Sequence, residues 1–256
     1  MVDFINHTIL IVKLFYISYT LFLQINQCLQ NIVINAAMFM IFYSILINIT
    51  NIIRRIRMQL YYSLTSPFAR KVCVLIQELK IQDQFEMIKI DPWTNPDLRQ
   101  INPLSKVPTL VLNHKEVLFD SALICEYLST LKDKALIYPT ERVEYFKSLR
   151  LQALADGAMA AVGRCYAELK KPEHLQSQDM LQRFQATQVA TLIWLEQHLD
   201  NFTKNFGIGE ISVACLLAYI DFRFPEQDWK IKYSQLAAWF EQVKARDSMQ
   251  FTQYQV

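Results

Sequence analysis

At 256 residues, with 26 lysines and arginines against 24 aspartates and glutamates, the chain is long enough for two ordinary domains, and its balance of residues is that of a globular protein. A near-neutral body without a basic stripe argues against nucleic-acid binding. Five widely spaced cysteines, Cys28, Cys73, Cys125, Cys165 and Cys215, form no Cys-x-x-Cys and pair with no histidine at metal-ligand spacing, so no metal site is expected and free thiols in a reducing compartment, the cytoplasm, fit best.

Residues 1–57 differ from the rest. They contain no Gly, Pro, Glu or Trp, their only acid is Asp3, and Ile, Asn and Phe are in great excess. Ile32 to Ile53 is mostly apolar and close to the length of about 20 residues that a membrane-spanning helix needs, with Arg54, Arg55 and Arg57 directly after it. Asn35, Asn48 and Asn51 stand against an anchor, as does Lys13 within the earlier apolar run. No positive segment leads into a small-residue cleavage site, so a signal peptide does not fit. The A/T-rich codons of these residue types favour a third reading, upstream sequence translated from a start set too early, with Met58 as the working start. Under the anchor reading, the charges after the span still place the body in the cytoplasm.

From Met58 the pattern is regular. Leu60-Tyr61-Tyr62 reads as a short buried strand and Ser63-Leu64-Thr65 as a turn. Ser66 is a helix N-cap, and Pro67 stands at the first helical position, where its missing N–H costs nothing. Val72, Leu75, Ile76 and Leu79 then give the helix one apolar face that packs on a sheet. Thr65 and Ser66 thus lie beside unsatisfied amides at the positive end of a helix, a place suited to an anion such as a thiolate, although capping alone also explains Ser66. Phe85 to Ile90 alternates as a second strand, and Asp91-Pro92-Trp93-Thr94-Asn95-Pro96 breaks it. Asn102 to Pro108 is a turn into a third strand ending at Leu112, and Asn113-His114-Lys115 turns the chain into a fourth over Glu116 to Phe119. Asp120-Ser121 caps a helix carrying Leu123, Ile124, Tyr127, Leu128 and Leu131.

Lys132 to Thr140 reads as a linker. Beyond it lie long amphipathic helical runs, Tyr145 to Glu168, Gln178 to Asn201, Ile208 to Phe222 and Tyr233 to Ala245, with almost no strand pattern. The expected organisation is an apolar extension over 1–57, an α/β domain over 58–135 and an all-α domain over 142–256.

This order, β-α-β-α-β-β-α followed by a helical bundle, with Thr65-Ser66-Pro67-Phe68, Asn102-Pro103-Leu104-Ser105-Lys106-Val107-Pro108 and Asp120-Ser121 in sequence, resembles the cytosolic glutathione S-transferase family across residues 58–256. The resemblance implies a thioredoxin-like domain before the all-α domain, glutathione as co-substrate, no metal, and a homodimer in which the first domain of one subunit meets the helical domain of the other. The small bacterial members with a serine-type or threonine-type turn look nearest. Val107-Pro108, after Lys106, resembles the family's cis-proline pair, whose backbone pairs with the cysteinyl part of glutathione like an added strand. Asp120-Ser121 resembles the acidic-Ser pair that grips the γ-glutamyl end. Three departures stand out: Asp120 where Glu is commoner, Ser105 in place of the usual Gly, and Gly207-Ile208-Gly209-Glu210 where the family's helical domain has a Ser or Thr capping box.

The implied activity is transfer to glutathione, a detoxification chemistry. Ser66, with Thr65 as the close alternative, lowers the thiol pKa, and the thiolate attacks a hydrophobic electrophile. Met159, Arg164 and Tyr166, on one helix, are the candidate electrophile contacts, with plain core as the competing reading. Cys73, two turns into the first helix, reads as buried packing. Two other functions stay open: a non-catalytic glutathione-site module acting in binding or stress regulation, and a glutathione-dependent reductase or isomerase.

Overall fold

A computed structural model describes residues 13–20, 39–45, 57–113, 115–203 and 205–255. The chain divides into two units, Met1–Arg55 and Ile56–Val256. In the first unit, residues 13–20 and 39–45 are helical and the rings of Phe15 and Phe42 meet edge to face, 6.0 Å between centroids. The apolar run 32–53 falls outside the described residues except for 39–45. No helix among the described residues is long and apolar enough to cross a membrane.

In the second unit a four-stranded sheet has the order β2-β1-β3-β4, built from β1 (Met58–Tyr62), β2 (Phe85–Lys89), β3 (Thr109–Val111) and β4 (Val117–Leu118). β1 pairs in parallel with β2, Leu60 opposite Met87, and antiparallel with β3, Leu60 opposite Leu110. β3 and β4 are antiparallel. Met58 and Leu60 point to the buried face, as the two-residue period of a strand requires. Helix α1 (Pro67–Glu78) begins at the expected cap, and Val72, Leu75 and Ile76 are wholly or almost wholly buried. Short α2 (Leu98–Ile101) crosses between β2 and β3, and α3 (Ser121–Ser129) packs on α1.

The helical half comprises α4 (Arg142–Leu169), α5 (Gln178–Gln197), α6 (Ile208–Arg223), α7 (Trp229–Lys232), α8 (Ser234–Lys244) and α9 (Asp247–Gln250). The architecture is therefore a thioredoxin-like sheet-and-helix unit followed by an all-α bundle, as the sequence pattern implies. Buried α6 is central, packing on α4 and on α1, so one apolar core runs through both halves. Two differences from the sequence reading are local. The α5 helix stops at Gln197, and a 3₁₀ turn over Leu199–Asn201 replaces its expected last turn. The four-residue helices α7 and α9 were not legible, because four residues cannot display a helical period.

The segment between α3 and α4 is packed rather than free. Ile137 and Tyr138 are buried, and the Ile137 carbonyl accepts from Ile208 N at 3.0 Å, capping α6 from outside. This contact explains the glycine at the α6 cap: a Cβ on Gly207 would lie 2.7 Å from that same carbonyl oxygen. Glu210 supplies the remaining half of the box, accepting from Gly207 N at 3.2 Å and from Thr203 N at 2.6 Å. Burial pushes its carboxyl above the ordinary range despite these donors.

Candidate active site

Three pieces of backbone meet at one end of the sheet. β1 ends at Tyr62 and runs straight into the Ser63–Ser66 turn. Tyr61 pairs with Thr109 in the antiparallel register, so the turn that follows β1 and the Val107–Pro108 pair that precedes β3 leave the sheet at the same end. In β4 Leu118 lies opposite Leu110, and the chain leaves that strand through a cis Phe119–Asp120 bond into Asp120 and Ser121. Strand order thus brings the segments that carry these residues onto one sheet.

At the turn, Ser66 is the N-cap, and its Oγ accepts from Ala69 N at 3.2 Å. A hydroxyl has one donor, and capping uses only a lone pair, so the Ser66 O–H remains available. Thr65 differs, since its Oγ1 shares a hydrogen bond with Ser63 Oγ at 3.2 Å. Ser63 also accepts weakly from Thr65 N, at 3.4 Å, which adds a third hydroxyl to the turn that the sequence reading passed over.

In the second piece the Val107–Pro108 bond is cis. Buried Asn102 organises the loop: its Nδ2 donates to Thr109 Oγ1 at 2.8 Å and to the Lys106 carbonyl at 3.2 Å, and its Oδ1 accepts from Leu104 N at 3.0 Å. Thr109 Oγ1 donates to the same Lys106 carbonyl at 2.7 Å. These bonds consume the Lys106 carbonyl and leave its side chain exposed. No described residue takes up the N–H or C=O of Val107, which leaves a strand-like backbone edge open beside the turn. Ser105 has φ of 50°, in the left-handed region where glycine is favoured.

The third piece is the start of α3. Asp120 is its N-cap, with Oδ1 accepting from Ala122 N at 3.0 Å, and it is exposed. Ser121 is the first helical residue rather than a second cap, and is buried. A helix of nine residues thus begins here with one carboxylate and one hydroxyl at its amino end.

Charged side chains join the two halves, from α1 on one side and from α4 and α6 on the other. Lys71, fully buried on α1, donates to both oxygens of Asp156 on α4, each at 2.7 Å. Burial pushes the Asp156 carboxyl up, outweighing the pull of Lys71, and the Asp120 charge adds to the rise. Arg70 is buried as well, donating to the Met249 carbonyl at 3.0 Å and lying 4.4 Å from the Tyr254 ring centroid. From the end of α6, Arg223 Nη2 donates to the Thr65 carbonyl at 3.4 Å. None of these was singled out from the sequence. Their partners lie 85 to 179 residues away, and no local pattern marks them.

Of the three candidate electrophile contacts, Tyr166 is placed next to the turn by its stack with Arg223, 4.3 Å from guanidinium carbon to ring centroid. Met159 is fully buried in the core, so it packs rather than lines a cleft, and Arg164 is exposed. A surface cavity of about 420 Å³ lies at the α4 and α6 starts, around Ile137, Glu141 and Gly207, and none of the three borders it. Burial pushes the thiols of Cys73 and Cys125 up to about 12 and that of Cys215 to about 11, so they are protonated at neutral pH and fit packing, not chemistry. Among the described residues no group of three or more His, Cys, Asp or Glu is arranged to hold a metal.

Comparison with known proteins agrees with this architecture. Models of the glutathione S-transferase N-terminal and C-terminal domains match residues 65–131 and 178–242. The GST-like protein YibF of Escherichia coli K12 is 32% identical over 200 residues, 77% of this chain and 98% of the relative. Similar solved structures include a glutathione S-transferase of Methylobacillus flagellatus with glutathione bound, 31% identical at a TM-score of 0.72, covering 77% of this chain and 98% of that one. Another is a glutathione transferase family member of Pseudomonas fluorescens Pf-5 with bound glutathione, 33% identical at a TM-score of 0.74, covering 78% and 100%.

Proposed function

This chain belongs to the glutathione S-transferase family, and from that premise we propose that it binds glutathione at the Ser66, Val107 and Asp120 end of the sheet and activates the thiol for attack on an electrophilic small molecule. The observation that carries this reading is the open backbone of Val107 at the cis Val107–Pro108 bond, on the sheet end where the Ser63–Ser66 turn also leaves. The Val107 N–H and C=O pair with the cysteinyl unit of glutathione as an added strand, with Pro108 behind them and Lys106 at the rim. The α3 amides and the Ser121 hydroxyl take the γ-glutamyl carboxylate, while the Asp120 oxygen not used in capping meets the ammonium.

This pose brings the thiol to the turn. There the Ser66 O–H donates to sulfur, and the positive end of α1 favours its anionic form. The S–H proton leaves to solvent, the sulfur lone pair forms a bond to the electrophilic carbon, and the leaving group departs with its electron pair. Thr65 is the alternative activator, and its bond to Ser63 makes it the weaker one.

Retention of the full chain on glutathione-agarose, elution by free glutathione, and conjugation of 1-chloro-2,4-dinitrobenzene are the expected results. Failure to be retained overturns the reading. Retention with no turnover of aryl halides, epoxides or enones replaces it with a binding module. The reading also includes a homodimer, supported by the exposed Leu123, Val143 and Phe146 and tested by sedimentation. The free cysteines support a cytoplasmic location.

A further inference from the structure

Among the described residues Arg223 has no carboxylate partner. Its guanidinium carbon lies 4.3 Å from the ring centroid of Tyr166, 4.5 Å from that of Phe222 and 5.2 Å from that of Tyr219. Of its five N–H donors, one makes a 3.4 Å bond to the Thr65 carbonyl, and Nε is buried with no partner. It forms no ion pair with any described residue.

Other cations among the described residues are treated differently, enclosed Lys71 and Arg70 and the more exposed Arg246 and Lys230 alike. Lys71 is held by both oxygens of Asp156, Arg246 by Glu78 at 2.7 Å and Lys230 by Asp221 at 2.7 Å. Arg70 spends its donors on Met249 O and Thr252 Oγ1. Aromatic faces hold a guanidinium in place but offer its in-plane N–H groups no acceptor. A half-buried guanidinium beside the thiol turn, fixed by three rings and under-used as a donor, is a site for an anion that the chain itself does not supply.

The position of Arg223 selects which anion. It approaches the turn from the helical half, through the Thr65 carbonyl and beside Tyr166, whereas the α3 start and the Val107 edge lie on the sheet side. We infer that Arg223 is an anion-recognising residue on the electrophile side of the cleft, so that the preferred electrophiles carry a carboxylate or comparable acidic group near the reacting carbon. This inference rests on the glutathione-binding reading above.

The test uses isothermal titration of the full chain with glutathione, S-(carboxymethyl)glutathione and its uncharged isostere S-(carbamoylmethyl)glutathione. The carboxymethyl adduct is expected to bind about tenfold or more tighter than the carbamoylmethyl one, the range of one charge-assisted hydrogen bond. In Arg223→Gln the ratio falls to near one, and Arg223→Lys keeps part of it. A wild-type ratio near one, or a ratio unchanged in Arg223→Gln, overturns the inference while leaving glutathione binding intact. No binding of glutathione itself removes both. Should Arg223→Gln fail to fold, the wild-type ratio and Arg223→Lys decide.

Discussion

The sheet half of the second unit and its joint with the helical half build the site by different means. The sheet half offers backbone: the α1 amides, the Val107 edge and the α3 amides, placed by strand register and helix caps. The joint between the halves is made by charge: Lys71 of α1 against Asp156 of α4, and Arg223 of α6 against the turn, reached across 85 and 158 residues of sequence. A backbone contribution tolerates side-chain changes and leaves a readable motif, because caps and X-Pro turns are local. A long-range charge tolerates little and leaves no motif. Substitutions of the buried charges that join the two halves should therefore be costly, and those at the backbone-built caps and turns mild in stability but specific in chemistry.

The largest expected effect is at Lys71. Replacing it with Met leaves Asp156 enclosed without its partner, at a cost of about 3–5 kcal/mol, read as a lower urea midpoint. The sign with pH follows. Burial already raises the Asp156 carboxyl against the pull of Lys71, and removing the lysine raises it further. The folded variant then holds this proton more tightly than the unfolded chain, so its stability falls as pH rises through that window and recovers on acidification. The deficit relative to wild type should be smaller at a pH of about 5 than at about 8. The double change Lys71→Met with Asp156→Leu should restore most of the loss. A single variant as stable as wild type at neutral pH breaks the comparison.

Next in size is Gly207, where the helical half is fastened to the segment leaving α3. The new Cβ of Gly207→Ala, 2.7 Å from the Ile137 carbonyl oxygen, forces backbone apart and strains the 3.0 Å bond from Ile208 N. A loss of about 1–3 kcal/mol is expected, the usual cost of overpacking, measured by denaturant unfolding. An unchanged midpoint shows that the joint yields and that glycine is there for another reason.

What was legible follows the same division. The N-cap at Ser66 with Pro67, the four strands, and the apolar faces of the long helices could be read because each depends on neighbours within a few residues. The likeness of Asn102 to Pro108 to a known loop was also visible, but not why Asn102 is needed, since its bonds close only once the loop is folded. Lys71, beside Arg70 in the opening turns of a helix, looks like any solvated cation. Only the packing of α4 over α1 shows that it is fully enclosed. Met159 went to the core, the competing reading, for the same reason: helical spacing places it on a face, and only the bundle decides whether that face meets a cleft or the core.

At the turn itself the comparison can be sharpened chemically. Ser66→Ala should cost about 1 kcal/mol of stability as a lost cap and raise the pKa of bound glutathione by about one to two units, through loss of a charge-assisted hydrogen bond. Thr65→Ala should move that pKa less, because its hydroxyl is already shared with Ser63 at 3.2 Å. Thiolate absorbance of the glutathione complex, titrated in both variants, distinguishes them. If the Ser66→Ala curve does not move, Ser66 is only a cap. If neither curve moves, the helix amides alone activate the thiol.

The smallest effect has the opposite sign. Ser105 holds φ of 50° in the turn that delivers Val107 to the sheet, a conformation costing a residue with a Cβ about 1–2 kcal/mol. The Ser105 N–H donates to the Asn102 carbonyl at 2.8 Å, a backbone bond that glycine keeps. Ser105→Gly therefore removes the steric cost and retains the loop, but it also gives the unfolded chain more freedom, which offsets part of the gain. The net expectation is a stabilisation of up to about 1 kcal/mol, seen as a higher urea midpoint with unchanged slope. Glutathione affinity should stay the same, because Val107 contributes backbone whose position the Asn102 bonds to Lys106 and Thr109 already set. Destabilisation would mean that the left-handed turn is held by the serine side chain, and that this part of the sheet half depends on side chains as the joint with the helical half does.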